Sequence, residues 1–174
     1  MSNLPRIYVD ACPIIDLVKH RLKMESADDR QKDAWFMDRL IHAAKLRKIE
    51  LFTSTLTIAE CTHVKDQKKD KEAQPFFLGL LASGKSGFAL VQPTIAIAEQ
   101  ARNLRWIHGL ALKGADAVHV ASALAMKCDE FVTTDSKGLL KRAEALAKLN
   151  LRVCNPSATQ LLPAEFLQEH LPLT

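Results

Sequence analysis

The chain has 174 residues, 48% of them hydrophobic and 25% charged, which excludes wholesale disorder and gives a single domain over 1–174 enough apolar surface for its own core. The net charge of +4 admits an anionic partner without requiring one. No apolar run nears the roughly 18 residues of a membrane span, and the start MSNLPRIYVDAC holds no secretory core, so a cytoplasmic protein that avoids membranes is expected.

RIYVD (6–10) is a short β-rich run that ends on an acid. Pro13 stands at a helix start, ahead of IIDLVKH. After the polar stretch KMESADDRQKD, Asp28 or Asp29 is placed to cap a long helix reaching about Lys48. Its apolar positions include Trp35, Leu40, Ile41, Ala44 and Leu46. ELFTS (50–54) is a second strand, and Ser54 then caps TLTIAECTHVK, a helix that continues into the basic run Lys65, Lys68, Lys69 and Lys71. Gln74 to Leu81 is apolar enough for another helix, closed by the turn ASGKSG. FALVQ (88–92) is a third strand, and Pro93-Thr94 opens the helix IAIAEQARNLRWIHGL. Gly114 precedes the helix ADAVHVASALAMK, and EFVTTD (130–135) is a fourth strand. KGLLKRAEALAKLN reads as helix and LRVCN as a fifth strand, with a short helix or two in the tail from Pro156. Strands alternating with helices imply a parallel sheet covered on both faces. In such folds ligands gather beyond the carboxyl ends of the strands. Cys12, Cys61, Cys128 and Cys154 form no C-x-x-C pair and read as reduced, mostly buried thiols.

Two strands end directly on an aspartate, Asp10 and Asp135. The second strand leads into a helix that carries Glu60, and Asp116 sits in the first turn of the helix after Gly114. Taken singly, each has an ordinary reading: Asp116 as a helix-end charge, Asp10 and Asp135 as turn formers, Glu60 as a surface residue. Together they can occupy one end of one sheet. Like charges gathered there repel unless a cation is present or some groups are protonated. A hard cation with oxygen ligands, Mg²⁺ or Mn²⁺ rather than Zn²⁺, answers that repulsion and can activate water against a phosphodiester.

The segments IYVDACPIIDL, FTSTLTIAEC, LKGADAVHVASALAMKCDEFVTTD and LRVCNPSATQLL, in this order and spacing over about 6–162, resemble a PIN domain. The resemblance implies a three-layer α/β/α fold with five parallel strands in the order 3-2-1-4-5. It also implies that Asp10, Glu60, Asp116 and Asp135 are the four acids that hold Mg²⁺ or Mn²⁺ for RNA cleavage. Many small members resemble VapC-type toxins, so an antitoxin partner and a homodimer are implied as well. Three features depart from the family. Ala11 and Cys12 stand where a hydroxyl residue and Asn are frequent, Lys137 stands where a further acid is frequent, and the chain is longer, mainly over 21–48 and in the tail.

His63 and His119 each lie three residues after a proposed ligand, either as a general acid or phosphate contact or as a hydrogen-bonded, partly buried histidine. Lys65 and the lysines after it can guide an RNA backbone or form a solvated face, and Lys137 can touch a phosphate or point to water. Arg102, Arg105 and Lys113 are weaker candidates. Trp35 and Trp106 read as helix-packing residues, so backbone recognition is expected more than base stacking. The sequence therefore predicts a metal-dependent endoribonuclease. The alternative is a catalytically weakened PIN-like module that binds RNA or protein. A phosphoryl-accepting receiver or phosphatase domain would need paired acids just after the first strand, which D-A-C-P does not supply.

Overall fold

The computed structural model describes residues 4–81 and 86–167. Strands β1 (Arg6–Val9), β2 (Glu50–Ser54), β3 (Phe88–Val91), β4 (Glu130–Val132) and β5 (Arg152–Cys154) form one sheet in the order β3-β2-β1-β4-β5. Every neighbouring pair is parallel; Ile7 of the central strand lies opposite Leu51 on one side and Glu130 on the other. The sheet order is the one that the family resemblance implies.

Side chains alternate across the sheet and feed two cores. Ile7, Val9, Leu51 and Val132 pack with Ile14, Leu17, Met37, Leu40 and Leu80, which come from α1 (Ala11–Arg21), α2 (Asp28–Lys45) and α4 (Gln67–Leu81). Tyr8, Phe131 and Val153 point the other way. They meet Leu104, Val120 and Leu146 from α5 (Ile95–Trp106), α6 (Gly114–Ala125) and α7 (Ala143–Ala147). The result is a three-layer α/β/α arrangement. Full burial of each large aliphatic side chain contributes about 1.5–3 kcal/mol, so both helical layers hold the strand ends in register.

Local chemistry moves several boundaries from those expected. The residue at the N-cap of α2 is Ala27, not Asp28 or Asp29, and no side chain caps it. The two aspartates lie in its first turn, where the helix dipole favours negative charge. The helix stops at Lys45 because Arg47 takes a left-handed conformation (φ 56°), which leaves Leu46 exposed. The helix expected from Ser54 through the lysine run is two helices. The single turn α3 (Leu56–Glu60) ends at Glu60, and α4 restarts at Gln67. Between them Lys65 is left-handed (φ 63°), and the Asp70 carboxylate accepts from the Val64 amide. The helix expected from Lys137 is a turn, a 3₁₀ segment (Leu140–Arg142) and the short α7. Trp106 is 70% exposed, under the Arg102 guanidinium, rather than packed inside. The turn expected at 82–87 lies in part, and the tail beyond Leu167 wholly, outside the described residues.

The longer segment over 21–48 is anchored near the sheet. Buried Asp33 of α2 accepts from the Ser157 amide and the Asn155 side chain, just past β5. Asp38 accepts from Arg21 at the end of α1. These bonds fix the face of α2 that carries Arg30 against the carboxyl end of the sheet.

Candidate active site

Asp10 directly follows the central strand and is the N-cap of α1. The strand order reverses here, with β2 on one side and β4 on the other, which opens a crevice at the strand ends. The Asp10 backbone amide donates to Val132 O (3.0 Å), so the residue is tied into the sheet. Its Oδ1 accepts from the Ala11 amide (2.8 Å), and its Oδ2 accepts from the Thr133 hydroxyl (2.8 Å). The Thr133 oxygen in turn accepts from the Asp135 amide (3.1 Å). One buried hydroxyl therefore links the first and last acids of the sequence pattern.

The Asp135 Oδ1 accepts from the amides of Lys137 and Gly138, both at 3.1 Å, in a side-chain-capped turn. A Cβ on Gly138 would lie 2.1 Å from the Asp135 Oδ2, so only glycine leaves this carboxylate where it is. Asp116 occupies the first turn of α6, and His119 follows one turn later on the same face. Glu60 ends α3, whose placement over β1 is set by Thr53: its hydroxyl donates to Val9 O and meets the Thr57 hydroxyl, each at 2.8 Å. The Glu60 Oε2 lies 2.7 Å from His119 Nε2, and His119 Nδ1 lies 2.9 Å from the Tyr8 hydroxyl.

The four acids share one electrostatic neighbourhood. Burial raises the Asp10 carboxyl above the usual range, Glu60 adds to the rise, and His119, the Thr133 hydroxyl and the Ala11 amide oppose it. The Asp116 carboxyl is also raised, first by desolvation and then by the charges of Asp10 and Asp135, against Lys113 and His119. Cys12 stands beside them. Desolvation and the carboxylates of Asp10, Asp135 and Asp16 push its thiol up to about 12, so it remains protonated. Such a donor set is oxygen-rich and offers no thiolate. Among the described residues, no three His, Cys, Asp or Glu side chains form a group that could hold a metal ion. The fit of these oxygen donors is to a hard cation that keeps several waters, the habit of Mg²⁺. It is not to one needing a closed protein cage.

A groove of about 480 Å³ runs outward from Asp135. Its walls include Lys19, Arg30, Lys65 and Lys137, with Asp16 and Cys12 between them. Arg30 donates to Asp16 (2.7 Å) and to Thr134 O (2.9 Å), and the Thr134 hydroxyl also donates to Asp16 (2.7 Å). Through these bonds α2 grips the segment between Thr133 and Asp135.

Of the expected residues, Asp10, Glu60, Asp116 and Asp135 lie at this one end of the sheet, and Lys65 and Lys137 line the groove with Asp135. His63 sits in the loop after α3, exposed and bonded to Thr62 at 3.1 Å, so it does not share a helix face with Glu60. His119 is fully buried, which removes it from contact with a substrate and leaves it hydrogen-bonded inside the protein. Sequence reasoning missed Tyr8, Asp16, Arg30, Thr133 and Gly138. The run VTTD held the signal for Thr133, since hydroxyls beside a strand-end acid are natural partners for it. Gly138 acts through Asp135, three residues before it in the same turn, whereas Tyr8, Asp16 and Arg30 depend on contacts between distant elements.

Comparison with known proteins followed the same lines. The family model of the PIN domain matches residues 7–146. Among solved structures, the chain is similar to FitAcB from Neisseria gonorrhoeae, with a TM-score of 0.54 at 20% identity over 88% of this chain and 99% of that one. It is also similar to FitAB bound to an IR36 DNA fragment, with a TM-score of 0.55 at 18% identity over 88% of this chain and 97% of that one. Comparison with curated proteins gives no match.

Proposed function

This chain belongs to the PIN-domain family, and from that premise we propose that it is a metal-dependent endoribonuclease whose site is formed by Asp10, Glu60, Asp116 and Asp135. The observation that carries the reading is the gathering of Asp10, Glu60, Asp116 and Asp135 at the carboxyl end of one parallel sheet in a chain that the PIN family model matches; burial and neighbouring acids raise the Asp10 and Asp116 carboxyls in keeping with it. Carboxylates held in mutual repulsion are what a divalent cation relieves.

Asp10, Asp116 and Asp135 would hold Mg²⁺ or Mn²⁺ directly or through water, and Glu60 would complete the ligand set or orient the attacking water. Such an ion would supply Lewis-acid polarisation of a phosphoryl oxygen and a water of lowered pKa. Thr133 keeps Asp10 and Asp135 in fixed relation, and the Gly138 turn holds the Asp135 carboxylate toward the crevice. Lys65 and Lys137, with Lys19 and Arg30 on the same walls, neutralise RNA phosphates along the groove. His63, exposed in the neighbouring loop, is a peripheral phosphate contact.

The partners follow from the family resemblance: RNA as substrate, an antitoxin protein that silences the toxin, and a second copy of the chain. A cytoplasmic location is part of the same proposal; no helix among the described residues is long and apolar enough to cross a membrane. A second reading, an RNA- or protein-binding module with weakened catalysis, is favoured by Lys137 in place of a further acid and by Cys12 in place of Asn. One assay separates the two. Purified protein and single-stranded RNA are incubated with and without Mn²⁺, beside Asp10→Asn. Cleavage that requires Mn²⁺ and vanishes in the variant supports the nuclease. RNA binding with no Mn²⁺-stimulated turnover supports the module.

A further inference from the structure

The interior behind the acids holds a chain of polar groups that the proposed chemistry does not use. Tyr8 on β1 and His119 on α6 are both fully buried in the apolar layer between the sheet and α5–α6. Burying two polar side chains there costs several kcal/mol unless their hydrogen bonds are made. They are made, and in one direction: Tyr8 Oη to His119 Nδ1 at 2.9 Å, then His119 Nε2 to Glu60 Oε2 at 2.7 Å. The chain ends on a carboxylate that is partly open to the crevice, its side chain 31% exposed.

Proton bookkeeping gives each bond a direction. An ionised carboxylate only accepts, so a short contact with Glu60 needs the proton on Nε2. In the neutral ring Nδ1 is then a bare acceptor and needs a donor. The Tyr8 phenol is the group that faces it, and burial keeps that phenol protonated by raising it well above its usual range. The ring is also fixed in orientation. Tyr8 packs against it edge-on at 5.9 Å and itself stacks on Phe131 at 5.2 Å. Glu60 needs such support more than Asp10 or Asp135 does. It stands at the last residue of a one-turn helix, followed by a loop, whereas Asp10 is tied to the sheet and Asp135 to its own turn.

We propose that Tyr8 and His119 are positioning residues: Tyr8 fixes the Nε2–H tautomer of His119, and His119 holds one oxygen of Glu60 so that the other faces the crevice. The role resembles that of a hydrogen-bonded group behind a metal ligand, whose loss typically lowers metal affinity or activity by about 10- to 100-fold. Neither residue touches substrate. The inference rests on the nuclease reading for its effect on turnover, but the hydrogen-bond chain can be tested apart from it.

The test uses the full chain, with Tyr8→Phe, His119→Ala and His119→Gln. Long-range ¹H–¹⁵N spectra of the histidine rings in metal-free protein report the tautomer. The wild type is expected to show His119 protonated at Nε2, and Tyr8→Phe to populate both tautomers. Titration calorimetry with Mn²⁺ is expected to show affinity about 10-fold weaker in Tyr8→Phe and weaker again in His119→Ala. His119→Gln, whose amide can reach Glu60, recovers part of the loss. In the cleavage assay kcat falls while KM for RNA stays within twofold. Circular dichroism identifies any variant that fails to fold, and the wild-type spectrum and Tyr8→Phe then carry the test. Wild-type His119 protonated at Nδ1, or Tyr8→Phe with unchanged tautomer and unchanged Mn²⁺ affinity, overturns the proposal. A wild type that shows the Nε2–H tautomer but cleaves no RNA overturns the nuclease reading and leaves the hydrogen-bond chain standing.

Discussion

The Thr133 hydroxyl donates to the Asp10 carboxylate at 2.8 Å across 123 residues of sequence, and accepts from the Asp135 amide at 3.1 Å. A single buried oxygen thus links the Asp10 carboxylate to the Asp135 backbone, beside the ladder bond from the Asp10 amide to Val132 O. Thr133→Val keeps the shape and removes both bonds, leaving the buried Asp10 Oδ2 and the part-buried Asp135 amide short of a partner. The expected cost is about 1–3 kcal/mol of stability, with at least a tenfold loss of Mn²⁺-dependent cleavage. Denaturant unfolding and single-turnover kinetics check both, and unchanged cleavage would refute the linking role.

Gly138 makes a cleaner separation of site from stability. Its Cβ would lie 2.1 Å from Asp135 Oδ2, while the backbone there needs no left-handed conformation. Gly138→Ala should therefore displace the carboxylate and leave the fold close to intact. We expect Tm within a few degrees of wild type and cleavage reduced by about 10- to 100-fold, the range for disturbed metal ligation. Full activity would mean that Asp135 is not held where its turn puts it.

The pH dependence has a definite sign. Asp10 and Asp116 sit above the ordinary value of about 3.9 in the folded state, so folded protein binds their protons more tightly than unfolded protein. Their contribution to stability is fully present below the ordinary aspartate range and is lost as pH rises through the raised folded values. In metal-free protein, Asp10→Asn should melt above wild type at pH 7, and the gap should close as pH falls toward 4. Saturating Mn²⁺ should raise the wild-type Tm and have less effect on the variant. A variant that melts below wild type at pH 7 without metal would show that the Asp10 charge is not strained.

The groove lysines make a prediction about salt. If Lys65 and Lys137 both contact phosphates, replacing both with alanine raises KM for RNA and leaves kcat nearly unchanged. The log–log salt slope of binding should fall by about 1.4, at about 0.7 per contact on a single strand. An unchanged slope would assign both lysines to the solvated surface.

The alternation of strands and helices was legible, as was Asp10 directly after β1, because strand ends carry a short-range signal; the strand expected over 130–135 instead stops at Val132, and Asp135 lies in the turn beyond it, held by the Lys137 and Gly138 amides. The five-strand order was legible only through the family resemblance, since crossover choice is set by contacts between elements far apart in sequence. The break after Glu60 was not readable. TLTIAECTHVK has helical periodicity, but Val64 is capped by Asp70 and Lys65 turns left-handed, choices made by packing of α4 on α1 and α3. His63 was misplaced for that reason. The burial of His119 was half visible in its apolar helix. Its partners were not, because Tyr8 lies 111 residues away and Glu60 lies 59 away. Trp106 reads as a packing residue by periodicity, yet it is the last residue of α5 and stands exposed under the Arg102 guanidinium.

Anomalous diffraction from crystals soaked in Mn²⁺ tests the account most directly. A peak is expected in the crevice at the carboxyl ends of β1 and β4, within ligand or water-bridged reach of Asp10, Asp116 and Asp135, and Asp10→Asn is expected to abolish it. No peak there in wild-type crystals at millimolar Mn²⁺, or a peak that survives in Asp10→Asn, contradicts the account.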